Sequence, residues 1–385
     1  MKLTNVLPLL FSAAIAAQGV TDNEIVLGQA CALKGQAQGL GTGMQTGLQV
    51  WFEKQNAQGG VHGRKVRLVS VNDGYEPERS VQAVKMLIEQ EKVFAIIGAV
   101  GTPTAKVTVP VCTEAKVPFF GAFTGAELLR APYNRYVVNL RASYFQETER
   151  LAQYLVDQNG MRKVACFYQD DAYGQAGLEG IKRALQNRKM ELVATGNYKR
   201  NTLAIAEGLE SVAKGNPDAV VLIGAYAPCA EFMKQAKANT GMQKTVMCNI
   251  SFVGSNNLLQ AVGEAGEGSI ISQVVPFPTD STVPVVKEYL ADMKKAGKEA
   301  EVGFISLEGY LAGKLFTTMA EKTGKNLTRE ALLDTVVAQK SLDLGGLTLS
   351  YGPQDNQGCD SVFLTTIKKG KLQDVPTTPQ AAPAK

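Results

Sequence analysis

Val93-Phe94-Ala95-Ile96-Ile97 is wholly apolar, and Gly98-Ala99-Val100-Gly101-Thr102-Pro103-Thr104 follows it directly. A strand of that composition is buried on both faces, the condition of a parallel sheet covered by helices above and below. The glycines after it allow a sharp turn and a close approach of backbone to another group, and Pro103 suits the first turn of a helix. The stretch therefore reads as strand, tight corner and helix N-terminus. It has a short echo, because Ala95-Ile96-Ile97-Gly98-Ala99-Val100 returns in the second half as Val221-Leu222-Ile223-Gly224-Ala225-Tyr226.

Working outward, the same alternation fills the chain. Toward the N-terminus lie a strand from 24 to 29, a helix with Met44, Leu48, Trp51 and Phe52 on one face that Gly59-Gly60 ends, a strand from 66 to 72, and a helix with Val81, Val84, Leu87 and Ile88 at helical spacing. Beyond it the pattern restarts: a helix over about 143–158, a strand over 163–168, a helix after Gly174, a strand over 190–195, another helix, and a strand over 218–223. The fold class is α/β, with two doubly wound parallel-sheet lobes. The length of 385 residues suits two domains of ordinary size.

The first residues read as a secretory leader. One positive charge, Lys2, precedes the largely apolar run from Val6 to Ala17, and the first acids, Asp22 and Glu24, come only afterwards. That run is shorter than the roughly 20 residues a membrane-spanning helix needs, and Ala14, Ala16 and Ala17 suit a signal peptidase. Residues 1–17 are thus expected to be a signal peptide, cleaved after Ala16 or Ala17, which predicts export. Of 40 Lys and Arg, Lys2 goes with the leader, leaving about +3 against 36 Asp and Glu. So small a balance forms no phosphate-binding stripe and argues against nucleic acid as a partner. Six cysteines, Cys31, Cys112, Cys166, Cys229, Cys248 and Cys359, lie too far apart for a zinc or Cys-x-x-Cys redox site and too sparsely for a disulfide scaffold.

Ligands on open parallel sheets bind beyond the carboxyl ends of the strands. Three corners there carry suitable chemistry. At Gly98 to Thr104, Thr102 either caps its own helix or offers that helix N-terminus, together with its hydroxyl, to a carboxylate. At Gly121-Ala122-Phe123-Thr124-Gly125-Ala126-Glu127, Thr124 and Glu127 have the spacing of a capping box. At Gly224-Ala225-Tyr226-Ala227-Pro228, an aromatic ring is presented with a polar tip. Catalysis is not expected, because the chain has one histidine, His62, in a glycine-flanked turn, and no nucleophile–base set can be built around it. Gly39-Leu40-Gly41-Thr42-Gly43 is a weak dinucleotide signal, with Met44 where the third glycine belongs, and no cofactor is expected.

Asn56-Ala57-Gln58-Gly59-Gly60-Val61-His62-Gly63-Arg64-Lys65, followed by a strand and Asp73-Gly74-Tyr75-Glu76-Pro77, resembles the periplasmic leucine/isoleucine/valine-binding protein family. Asp171-Ala172-Tyr173-Gly174-Gln175-Ala176-Gly177, Pro217-Asp218-Ala219-Val220-Val221 and Leu344-Gly345-Gly346-Leu347 continue the likeness in the family's order. The resemblance implies a type I periplasmic-binding fold whose lobes are joined by three crossovers, near residues 141, 275 and 349. The N-terminal lobe would comprise 24–141 and 276–349, and the C-terminal lobe 142–275 and 350–373. The last residues, 374–385, would form a disordered tail rich in Pro, Ala and Thr.

The resemblance also implies a function. The protein would be a periplasmic solute-binding component of an ABC importer, a monomer that closes over its solute by hinge motion and is recognised closed by a permease in the inner membrane. Thr102 matches the hydroxyl that receives the ligand carboxylate. Ala122 and Thr124 match the neighbouring corner, Tyr173 and Tyr226 the aromatics of the second lobe, and Val100 and Phe252 complete the expected set. A branched-chain or other apolar amino acid is the leading solute, ahead of amides, ureas and aromatic or aliphatic acids. A sensory module serving a membrane receptor is the alternative role.

Two departures stand out. The family's leucine/isoleucine/valine-binding protein holds the ligand ammonium with an acid after the Tyr226 helix, but Met247-Cys248-Asn249-Ile250-Ser251-Phe252 contains none. Asp73, Asp170 and Asp171 are the candidates to replace it. Tyr75 and Gly101 stand where that protein carries a disulfide, so this bridge cannot form.

Overall fold

A computed structural model describes residues 18–239 and 241–375. The leader expected at 1–17, residue 240 and the stretch from 376 to 385 lie outside the described residues. The chain begins β1 (Glu24–Cys31), α1 (Gln38–Ala57), β2 (Lys65–Asn72), α2 (Pro77–Glu89), β3 (Ala95–Ile97), α3 (Thr102–Glu114), β4 (Phe119–Phe120) and β5 (Val137–Val138). These strands form one all-parallel sheet in the order β2-β1-β3-β4-β5. The non-sequential order places a topological switch point at β1 and β3, the position at which sheets of this kind bind ligands.

The second unit follows: α4 (Tyr144–Ala152), extended by a π-helical segment to Gln158, then β6 (Val164–Gln169), α5 (Ala172–Gln186), β7 (Ala194–Tyr198), α6 (Ala206–Ala213), β8 (Ala219–Ile223), α7 (Tyr226–Asn239), β9 (Val246–Asn249), α8 (Ser255–Val262) and β10 (Ile270–Gln273). The chain then supplies α9 (Pro284–Lys295), α10 (Phe304–Thr323) and α11 (Arg329–Val337), which bury their apolar faces with those of β1 and α1. Next come β11 (Leu342–Asp343), β12 (Thr348–Gly352) and β13 (Asp355–Gly358), a small antiparallel sheet. Finally β14 (Phe363–Lys368) and β15 (Lys371–Asp374) join the second sheet, whose order is β15-β14-β10-β9-β8-β6-β7.

Local chemistry explains where these elements start. Asp171 caps α5 by accepting from the Tyr173 and Gly174 amides at 2.9 and 3.4 Å, so this helix begins before Gly174. Ser143 and Gln146 form a full capping box on α4. Helices α1 and α10 cross so closely that a Cβ on Gly47 would lie 1.9 Å from the Ser306 carbonyl oxygen. Only glycine fits there. The glycines after β1 likewise serve packing, since a Cβ on Gly41 would lie 2.0 Å from the Ala32 carbonyl oxygen.

Two expectations shift. The strand placed at 190–195 runs instead over Ala194–Tyr198. The Met190 amide is used to close α5 on the Leu185 carbonyl, and β7 is an edge strand whose inward positions include Gly196, so hydrophobicity understates it. At the far end, Asp374 closes β15, so the strand takes in the first residue of the segment assigned to the tail, and the Val375 amide after it donates to the Leu364 carbonyl.

All six cysteines are buried free thiols. Burial pushes each thiol pKa up, that of Cys112 to about 12, which leaves them as small core hydrophobes. His62 sits in an exposed turn, its Nε2 3.0 Å from the Glu321 carbonyl oxygen. Among the described residues no helix is long and apolar enough to cross a membrane.

Candidate functional site

The carboxyl ends of both sheets face one another, and a single apolar cluster spans the gap. Met44, Tyr75, Val100 and Phe123 from the first unit pack in it with Tyr144, Tyr173, Ile223 and Phe252 from the second. Phe252 is its centre, with ring centroids 4.4 Å from Tyr173, 5.3 Å from Phe123 and 6.0 Å from Tyr75.

Against this aromatic wall stand hydroxyls. Gly101, at φ 107, turns the chain so that α3 starts at Thr102 without a side-chain cap. The Thr102 hydroxyl is therefore free of the capping role that the sequence left open, and lies 2.6 Å from the Thr124 hydroxyl. Thr124 forms no capping box either. The following 3-10 turn starts from Ala126 without a side-chain cap, because Thr124 Oγ1 is turned toward Thr102 and accepts only a 3.3 Å bond from the Ala126 amide. Both threonines are fully buried. Tyr144, beside them, has its pKa pushed up to about 12 by burial, opposed by the Arg141 charge. The hydroxyls of Tyr144 and Tyr173, whose rings are 5.5 Å apart, are buried without any hydrogen-bond partner. Buried polar groups are rarely left so, and a cluster of them implies a ligand or water.

Behind the hydroxyls lies Arg141, fully buried on the crossover between the sheets. Its guanidinium carbon is 5.1 Å from the Phe123 ring centre and 5.9 Å from that of Tyr144. Nη2 donates to Glu147 at 2.9 Å and to Ser251, Nη1 donates to Glu308 at 3.4 Å, and Nε has no partner. Glu147 also accepts from the Ser251 amide at 2.7 Å and the Ser272 hydroxyl at 2.6 Å. Since Glu308 belongs to α10 and Glu147 to α4, the arginine ties the two units together.

Burial raises the Glu308 pKa to about 7, against the pull of Arg141 and with the push of Glu147, while Arg130 lowers it. Its folded pKa exceeds the unfolded 4.5, so folding takes up a proton between these values. The stability it contributes is full below about 4.5 and is lost as pH rises through about 7. Melting profiles should therefore show stability falling by on the order of 1–3 kcal/mol across that window, and Glu308→Gln should flatten the slope. Equal slopes in both proteins would contradict this.

At the cleft mouth a second set of contacts crosses between the units. Arg200 donates to Glu76 at 2.7 Å and to Asp171 at 2.9 Å, and Asn201 donates to Glu76 and to the Gly74 carbonyl. Gln169 donates to the Tyr75 hydroxyl at 3.2 Å, and the Gly39 amide to the Tyr226 hydroxyl at 3.3 Å. Arg200→Ala removes two ion pairs, of which the half-exposed one to Glu76 crosses between the units, and is expected to speed ligand release about threefold to tenfold. Stopped-flow release rates check this, and an unchanged rate would show that the contact does not hold the units together.

The structure brings Val100, Thr102, Thr124, Tyr173 and Phe252 to one place. Ala122 packs instead in the apolar cluster around α2 and α3, with its carbonyl accepting the Thr124 amide at 2.9 Å. Tyr226 stands at the mouth with its hydroxyl occupied by Gly39. The site also contains Tyr75, Phe123, Arg141 and Tyr144, which sequence reasoning did not select. A Cβ on Gly101 would lie 2.2 Å from the Tyr75 ring, so the two positions expected to lack a disulfide are instead a ring packed on a glycine.

Two doubly wound units whose aromatic and hydroxyl corners pack against each other define a type I periplasmic-binding fold. The profile of the family described as Periplasmic binding protein matches residues 24–371, and the chain belongs to that family. It is similar to Leu/Ile/Val-binding protein homolog 7 of Brucella suis, 24% identical over 370 residues and covering 92% of this chain and 91% of the relative. Among solved structures it is similar to a possible leucine/isoleucine/valine-binding protein of Rhodopirellula baltica, with TM-score 0.88, 32% identity and 92% and 96% of the two chains covered. It also shares its fold with a fatty acid ABC transporter substrate-binding protein of Thermomonospora curvata, with TM-score 0.83, 23% identity and 94% and 93% covered.

Proposed function

We propose that this chain is the periplasmic solute-binding component of an ABC importer, which closes its two lobes over a small carboxylate-bearing solute and offers the closed form to a permease in the inner membrane. The observation that carries the reading is the set of buried hydroxyls at the cleft: Thr102 and Thr124 paired with each other, and Tyr144 and Tyr173 with no partner. Such donors fit a carboxylate, which accepts several hydrogen bonds at once and is favoured at the N-terminus of α3. The names of the Brucella suis and Rhodopirellula baltica relatives point to a branched-chain or other apolar amino acid. That of the Thermomonospora curvata protein points to an acid. Both carry the group this site suits. Binding and release suffice for the role, so the solute leaves unchanged, and export by a cleaved leader with action as a monomer completes the reading.

The test is a thermal-shift series on protein unfolded and refolded to strip any carried solute. A true ligand at 1,000 times its dissociation constant adds about 4.1 kcal/mol. The expected result is a shift with carboxylate-bearing solutes that Thr102→Ala abolishes or weakens tenfold or more. No shift with any of them, or an equal shift in the variant, would overturn the reading.

A further inference from the structure

Resting on the carboxylate reading above, we propose that the solute is an acid without an amino group: a small monocarboxylate with an apolar or aromatic body, not an α-amino acid. The cleft supplies donors and rings but no carboxylate that is free to meet an ammonium. Asp73 is fully buried and spent within its own turn, accepting from the Tyr75 amide and the Ser80 hydroxyl, both at 2.8 Å. Asp171 caps α5 and also holds Gln169 and Arg200. Glu76 is held by Arg200 and Asn201. Glu147 accepts from Arg141, Ser251 and Ser272, and Glu308 from Arg141. Asp170 is exposed. The acids that the sequence offered as replacements are therefore engaged or turned to solvent.

The aromatic wall does not substitute for an acid. An ammonium can be held over ring faces alone, but the Phe123 and Tyr144 rings already carry the Arg141 guanidinium. An ammonium would have to displace the guanidinium to use those ring faces. By contrast the unpartnered donors at the centre of the site suit an anion: Arg141 Nε and the Tyr144 and Tyr173 hydroxyls are buried without partners, and the Thr102 and Thr124 hydroxyls lie beside Tyr144. The remainder of the ligand would rest on Phe123, Phe252 and Tyr75.

Calorimetric titration of the stripped full chain with matched pairs tests this: leucine against 4-methylpentanoate, phenylalanine against 3-phenylpropanoate, and each acid against its amide, within a wider panel of aliphatic and aromatic acids. The expected result is saturable binding of an acid, with its amino acid and its amide each at least tenfold weaker. An amino acid binding as tightly as its deaminated acid, or tighter, overturns this inference and leaves the carboxylate reading standing. An amide equal to its acid, or no binding across the panel, overturns the carboxylate reading and this inference with it.

Discussion

Arg141→Ala is expected to lower the stability of the folded chain by about 3–5 kcal/mol. The physical cause is not the loss of favourable ion pairs, which a buried pair barely offsets against desolvation. It is what the substitution leaves behind: Glu147 with no exposure and Glu308 with almost none, stripped of their shared cation inside the protein. Arg141 also contacts the Phe123 and Tyr144 rings and shares Ser251 with Glu147, so packing goes with the charge. Urea unfolding of the variant near neutral pH measures the loss. Arg141→Met with Glu147→Gln and Glu308→Gln should recover much of it, because the buried charges then go together. A single Arg141→Ala variant as stable as the parent would refute the account of the crossover.

Phe252→Ala is expected to weaken solute affinity by about a hundredfold or more. Removing a buried phenylalanine costs about 3–5 kcal/mol, and the part of this that falls on closure is read as affinity at about 1.4 kcal/mol per tenfold. Phe252 comes from the segment after β9, yet its ring partners include Phe123 and Tyr75 of the opposite unit. Opening the cleft would separate those rings and leave Tyr173 as its neighbour within its own unit. The loss should thus fall more on the closed, solute-bound form than on folding. Comparing the change in solute affinity with the change in melting of solute-free protein separates the two. A variant that melts much lower but binds with parental affinity would place Phe252 in the fold alone.

The alternation of apolar strands and helices was legible because a doubly wound sheet writes it directly: Ala95–Ile97 and Ala219–Ile223 are buried at every position and could hardly be read otherwise. The edge strand β7 was displaced because Gly196 and Asn197 carry no such signal, and pairing with β6 decides its place. At the site, Thr102 and Thr124 were found because they follow strands, although the sequence offered a capping role for each that Gly101 and the turn at Ala126 remove. Tyr144 and Arg141 went unnoticed for a different reason. They follow β5, a strand of two residues that leaves no apolar run to read, and a single arginine or tyrosine has no spacing of its own. Only the return of α10 and the loop after β9 to the same spot gives Arg141 its glutamate and serine partners.

Two lobes that close over a solute become more compact, a change that small-angle X-ray scattering reads in solution. Stripped protein would be measured alone and then saturated with the acid that raises its melting temperature most. The account predicts a smaller radius of gyration with solute, reached at one equivalent, and a weaker response in Phe252→Ala. Identical scattering with and without a solute that demonstrably binds would contradict it.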